Sequence, residues 1–140
     1  MSDVIDVPLD SESPLVDPPI VDDLYLNADL DEYIITFIPD DCVSRNEKET
    51  VAIPHDSEDG RRVELRLSEL SRILGTSVIR LFHAGGGDFG FFLSDGKQRH
   101  LSDPVGSSEA SQEIYVQLQD LGMIAQIAFR QEQLLKHRTA

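Results

Sequence analysis

An α+β fold is predicted: a small, mostly antiparallel β-sheet with hairpins, one short helix and a long C-terminal helix, preceded by an extended acidic N-terminal arm. Three features carry that reading. Residues 1–32 hold ten carboxylates and no lysine or arginine. Asp95-Gly96 separates two short β-rich runs, and the stretch from Glu109 to about His137 repeats its apolar residues at helical spacing. At 140 residues the chain suits one domain, so residues 1–32 are assigned to the arm and residues 33–140 to a single folded unit.

The arm comes first. Its acids (Asp3, Asp6, Asp10, Glu12, Asp17, Asp22, Asp23, Asp29, Asp31 and Glu32) repel one another, and Pro8, Pro14, Pro18 and Pro19 interrupt helix and sheet ladders alike. Apolar residues threaded between the acids give it something to dock with. Leu15, Val16, Ile20, Val21, Leu24, Tyr25 and Leu26 are the expected anchors, with Asp22 and Asp23 selecting the surface that accepts them. Of the formal charge of −14, the arm contributes −10, and residues 33–140, with 16 acids against 12 bases, contribute −4.

Tyr33 to Ile38 is β-branched and aromatic and is stopped by Pro39-Asp40-Asp41, which predicts a first core strand. Thr50 to Ile53 and Arg62 to Leu67 flank a turn-rich segment. The second run alternates Val63, Leu65 and Leu67 with charged residues, which predicts a hairpin with one wet face. Ser68 then caps a short helix, Glu69 to Leu74, that Gly75 ends, and Val78 to Phe82 resumes as strand or as helix.

Phe89 to Ser94 and Lys97 to Ser102 form a hairpin about Asp95-Gly96. A two-residue type I′ turn there sets Phe91 opposite His100 and Phe92 opposite Arg99. Ser107 or Ser108 caps the final helix, whose stripe of Ile114, Leu118, Leu121, Ala125, Ala128 and Leu135 buries one side against the sheet. The small residues Ala125 and Ala128 permit close approach of another helix, so a second interface is expected from Phe89, Phe91, Phe92, Ala125 and Ala128, including a homo-oligomeric one.

Residues 66–82 resemble a helix-turn-helix: a capped helix, Gly75, a small-residue turn and a second amphipathic segment. With the Asp95-Gly96 hairpin as a wing, the arrangement resembles a winged-helix domain, which implies a helix in the major groove and a transcriptional regulator. Residues 76–83 offer only Arg80, Thr76, Ser77 and His83 to base edges, so packing is the favoured role for this segment.

Local signatures of catalysis are lacking. His55, His83, His100 and His137 are scattered, the single Cys42 neighbours Asp40 and Asp41, whose charges disfavour a thiolate, and no nucleophile elbow occurs. The run of Gly85, Gly86 and Gly87 lacks the terminal Gly-Lys-Ser/Thr of a phosphate loop, and Asp56, Glu58 and Asp59 lack the alternate ligand spacing of a calcium loop. No catalytic residue, metal or cofactor is therefore expected.

With no signal-like N-terminus and no long apolar run, a soluble cytoplasmic protein is expected, with no membrane contact. Net acidity repels phosphate backbones, so direct nucleic-acid binding is disfavoured and a protein partner with a basic or mixed basic-apolar surface is favoured. These observations point to a non-enzymatic accessory or structural protein that docks onto a larger assembly, such as a phage or other multi-subunit particle. The alternatives are an acidic inhibitor that mimics nucleic acid and the winged-helix regulator.

Overall fold

The computed structural model describes residues 19–40, 47–85, 88–102 and 108–139. Its elements run β1 (Ile20–Asn27), β2 (Glu32–Ile38), β3 (Glu49–Pro54), α1 (Glu58–Leu74), β4 (Val78–Gly85), β5 (Asp88–Leu93), β6 (Gln98–His100) and α2 (Ser108–Thr139). The strands form one antiparallel sheet in the order β3-β2-β1-β4-β5-β6. The fold is α+β, with α1 and α2 packed on one face of the sheet.

The segment expected to remain an arm through residue 32 instead enters the sheet at Ile20, between β2 and β4. A bulge explains the difference. Val21 pairs with Phe37 but Asp23 pairs with Thr36, so Asp22 is an extra residue in β1. The shift lets Val21 and Leu24, three positions apart, both face the helices, whereas strict alternation would have sent one of them outward. The Asp22-Asp23 pair, expected on the arm, is the point where the strand changes phase.

Leu24 lies at the middle of a row that crosses the sheet. Val51, Ile35, Leu24, Leu81 and Phe91 stand side by side on β3, β2, β1, β4 and β5, each at most 3 % exposed. Val63 and Leu70 of α1 and Ile114, Leu118, Leu121 and Ala125 of α2 complete this core. Burial of each large side chain contributes about 1.5–3 kcal/mol, so the row and its cover account for much of the driving force.

Arg62 to Leu67, expected as the second strand of a hairpin, belongs to helix α1. Val63, Leu67, Leu70 and Leu74 recur at steps of four and three, and the same residues satisfy a period-2 pattern over the first five positions. The start is fixed by Ser57: its Oγ accepts from the Gly60 N–H at 3.0 Å and donates to the Pro54 carbonyl at 2.6 Å. Glu58 and Asp59 in the first turn add a favourable dipole interaction, and Gly75, in the left-handed region at φ 79°, ends the helix. The helix-turn-helix expectation is corrected by β4, because residues 78–85 form a strand. Its alternation breaks too, with Ile79 the extra residue between Val78 and Arg80, so that Val78 and Leu81 both face inward.

The β5–β6 hairpin forms with a different turn. The Gly96 N–H donates to the Leu93 carbonyl at 3.0 Å and the Leu93 N–H to the Lys97 carbonyl at 2.9 Å, which makes a three-residue connection, Ser94-Asp95-Gly96. Only Gly96 of these three has positive φ, 87°. The added residue slips the pairing by one, so Phe91 faces Arg99 and Phe92 faces Gln98.

Helix α2 packs on the core as far as Ala128 and Phe129 and is more exposed beyond them. Leu135, expected in the buried stripe, is 60 % exposed. Gly122 sits where α2 crosses the start of β1, and a Cβ there would lie 2.5 Å from the Pro19 carbonyl oxygen. Next to it, buried Gln126 accepts from the Asp40 N–H at 2.8 Å, and Arg130 reaches the Asp40 carboxylate at 3.1 Å. These contacts fix the helix against both strands at one end of the β1–β2 pair, where the start of β1 lies beside the end of β2.

Leu24→Ala is expected to lower unfolding free energy by about 2–5 kcal/mol, as for a buried core leucine; a loss under about 0.5 kcal/mol, typical of a surface position, would return Leu24 to an exposed arm. Gly122→Ala tests the helix crossing by its sign. In an exposed helix the change stabilises by about 1 kcal/mol, whereas here a steric clash is expected to lower the denaturation midpoint.

Candidate interaction surface

Because both helices cover one face, the other face of the sheet is left bare by the described residues, as antiparallel sheets permit. Two rows of side chains define it. Ala52, Ile34, Tyr25, Arg80, Phe92 and Gln98 make one; Thr50, Thr36, Asp23, Phe82, Gly90 and His100 make the next. All of these except Gly90 are exposed or half-buried.

The charges at the centre of this face are paired within the chain. Arg80 meets Asp23 through two hydrogen bonds, Nε to Oδ1 at 3.0 Å and Nη2 to Oδ2 at 2.7 Å, and its guanidinium lies 5.2 Å from the Tyr25 ring centre. The bulge residue Asp22 faces Lys48 at 3.3 Å and His83 at 3.8 Å. Beside this network is an aromatic patch. Phe82 packs 5.2 Å from Phe92 and edge-on to His100 at 5.8 Å, and its ring covers Gly90, where a Cβ would come within 2.1 Å of it. Gly90 is thus what lets a phenylalanine lie flat across β5. Phe92 is 38 % exposed at the patch surface.

His100 is held by Gln98, 2.7 Å from its Nε2, and by Asp88, 3.1 Å from its Nδ1. Asp88 also accepts from the Ser102 N–H at 2.8 Å and from its hydroxyl at 3.0 Å. Partial burial works to raise the Asp88 pKa, but the hydrogen bonds from Ser102, His100 and the Phe89 N–H outweigh it and hold the carboxyl below its ordinary range.

On the helix side, a groove of about 470 Å³ opens between α1 and the ends of β1 and β4, lined by Leu26, Tyr33, Leu67 and Ile79 with Glu64 and Ser71 at its rim. Burial, then the neighbouring Glu64 and Asp31 charges, push the Tyr33 phenol above its usual value, so it stays protonated there. Among the described residues no three His, Cys, Asp or Glu side chains come together to hold a metal ion, and no helix is long and apolar enough to cross a membrane.

The expected anchors are divided by this geometry. Leu15 and Val16, and likewise Cys42, lie outside the described residues. Val21 and Leu24 are in the core, occupied by the chain's own packing, and Ile20 is half-buried against it. Asp22, Asp23 and Tyr25 share the bare face, whereas Leu26 is exposed on the opposite side beside α1. Of the second set, Phe89, Phe91 and Ala125 are core residues and Ala128 packs against them, which leaves Phe92 on the surface. Alternation buried Phe89 and Phe91 and turned Phe92 outward. Arg80, Phe82 and Ile34 were missed as surface residues, although the alternation of Ile34 and Thr36 against Tyr33, Ile35 and Phe37 is a signal for two of the face's positions.

Asp88→Asn is expected to destabilise the protein near neutral pH, with the gap to the parent chain closing on acidification. A lowered folded-state pKa contributes stability above the unfolded value, about 3.9, and loses it as pH falls through the folded one. Denaturation midpoints measured across that window check this, and a gap independent of pH would remove the assigned role of the Asp88 charge.

No protein-family model matches this chain, and neither the curated proteins nor the solved structures contain a match to it.

Proposed function

We propose that this chain is a non-enzymatic accessory or structural protein, soluble in the cytoplasm or incorporated in a particle, that docks onto a larger protein assembly such as a phage or other multi-subunit particle. The observation that carries the reading is the bare sheet face, where Tyr25, Phe82, Phe92 and Arg80 are presented with the local charges already paired. Tyr, Phe and Arg are the residue types that interfaces concentrate, and paired charges need no new partner when water leaves. The acidic-apolar sequence of residues 1–18, with Leu15 and Val16, adjoins β1 and supplies a second contact suited to a basic or mixed basic-apolar partner.

The experiment is affinity capture from native extract with three chains: the full chain, one lacking residues 1–18, and Phe92→Asp. Truncation must stop before Pro19, since deletion through residue 32 would remove β1 from the middle of the sheet. The same assembly is expected with the full chain, and weaker capture by about tenfold or more with each variant while its circular dichroism is unchanged. Equal capture by all three would refute docking through either surface.

One observation favours a second reading, an acidic mimic of nucleic acid. Residues 1–18 hold five acids, so 21 acids and 12 bases lie in residues 19–140, a charge of −9 on a chain segment that folds. Competition by short duplex DNA and steep salt sensitivity of the captured complex would select that reading. A complex indifferent to both selects the first.

A further inference from the structure

The outer side of α2, opposite its buried stripe, is apolar along most of its length. Val116, Met123, Ile127 and Leu134 are 51 %, 43 %, 47 % and 63 % exposed. At 3.6 residues per turn they fall within about 20° of one line, which runs about 27 Å along the helix. Asp120 and Arg130 flank the same line. A solvent-facing helix side ordinarily carries charge at such positions, so four large apolar residues in register need a cover.

The order of residues along the stripe states what kind of cover fits. Counting outward from the level of Ala125, Met123 and Ile127 lie two residues to either side, Asp120 and Arg130 five, and Val116 and Leu134 nine. The stripe is therefore self-complementary when reversed. A second copy laid antiparallel about a twofold axis at that level sets Met123 on Ile127, Val116 on Leu134 and Asp120 beside Arg130, each contact occurring twice as a twofold interface requires. A parallel pairing would instead set Asp120 on Asp120 and Arg130 on Arg130. Antiparallel helix dipoles favour the first arrangement as well.

The surface shape agrees with this axis. Between α1 and α2 a groove of about 450 Å³ is lined by Leu65, Met123, Ile124 and Ile127, with Arg66 and Asp120 at its rim. It opens at the level of the axis, where the partner's Met123 and Ile127 side chains would seat. Asp120 already faces Arg66 at 3.2 Å and Arg130 faces Asp40 at 3.1 Å, but both acid and base stay about half exposed, and a carboxylate with two oxygens accepts a second donor.

We propose that this protein forms a twofold homodimer through antiparallel packing of the outer faces of α2, with Met123 and Ile127 at the axis. The contact is independent of the sheet face assigned to docking. Restricted to one helix and the Leu65 rim, it lies at or below the roughly 800 Å² per partner of a standard interface, so the expected dimer dissociates in the micromolar range.

Sedimentation equilibrium of the full chain over low to high micromolar concentration is expected to show monomer and dimer in exchange. Met123→Asp and Ile127→Asp, at exposed positions, are each expected to weaken association by at least about tenfold while leaving the helical spectrum unchanged. Cysteine cross-linking provides a readout that survives if those variants misfold. In a Cys42→Ser background, chains carrying Val116→Cys should cross-link to chains carrying Leu134→Cys and neither should cross-link to itself. A chain that remains monomeric throughout, a dimer untouched by both aspartates, or Val116→Cys cross-linking to itself would each overturn the proposal.

Discussion

The phase change in β1 is the constraint on which the remaining structure depends. A strand between two neighbours must offer apolar side chains to the helices at every inward position, and the sequence Val21-Asp22-Asp23-Leu24 does so only if one residue is bulged out. Once Asp22 is set aside, Leu24 pairs with Ile35 on one side and Leu81 on the other, and the buried row runs unbroken from β3 to β5. The same bulge carries Asp23 to the opposite face, where it meets Arg80 through both carboxylate oxygens. Core continuity on one side and charge pairing on the other thus follow from a single inserted residue.

Both strands that were hard to read from sequence, β1 and β4, carry this device, and the reason is common to them. Val21 and Leu24, and Val78 and Leu81, are buried pairs three residues apart, a spacing that belongs to helices or to no regular element when it is read against period 2. In β1 the intervening residues are acids, so the segment looked like an arm; in β4 they are Ile79 and Arg80, so it looked like strand or helix equally. The unbulged strand β2 and the long α2 were legible because nothing interrupts their periods. For α1 the ambiguity ran the other way, since Val63, Leu65 and Leu67 alternate for five residues before Leu70 and Leu74 reveal the helical step. What arbitrates is the Ser57 cap, a local signal three residues from each of its partners Pro54 and Gly60 and followed by Glu58 and Asp59, which a reading of residues 55–60 as a turn passes over.

The bare face was partly legible for the same reason. Phe92 turns outward and Phe89 and Phe91 inward because β5 alternates without interruption after Asp88, an alternation visible in the sequence that does not by itself say which set faces the core. The neighbours of Phe92 were not foreseen, because Phe82 and Arg80 come from the bulged strand and His100 from a strand whose register depended on turn length. Counting Ser94 into the connection moved every residue of β6 by one position, which placed Gly90, rather than Phe91, opposite His100. A glycine there is what allows the Phe82 ring to lie across the strand and join Phe92. The aromatic patch is therefore a product of strand order and turn length together, neither of which is encoded in any one segment.

The two surfaces differ in how they would be used. The sheet face has its central Arg80 and Asp23 charges paired and Tyr25 and Phe82 half-buried, so it changes little on contact, whereas the α2 stripe exposes about half of each of four large apolar side chains, which gain from being covered. They lie on opposite sides of the molecule because the helices occupy one face of the sheet. Copies paired through α2 would therefore hold two sheet faces pointing away from each other. Two docking faces on one rigid body raise the effective concentration of the second contact once the first has formed, by 10²-fold or more in favourable geometry, roughly. A weak face of this kind, with few anchors and no strong unpaired charge, gains most from such pairing on a repetitive assembly. There, identical sites recur at fixed separations and the dimer's spacing, rather than any single contact, would decide whether it binds.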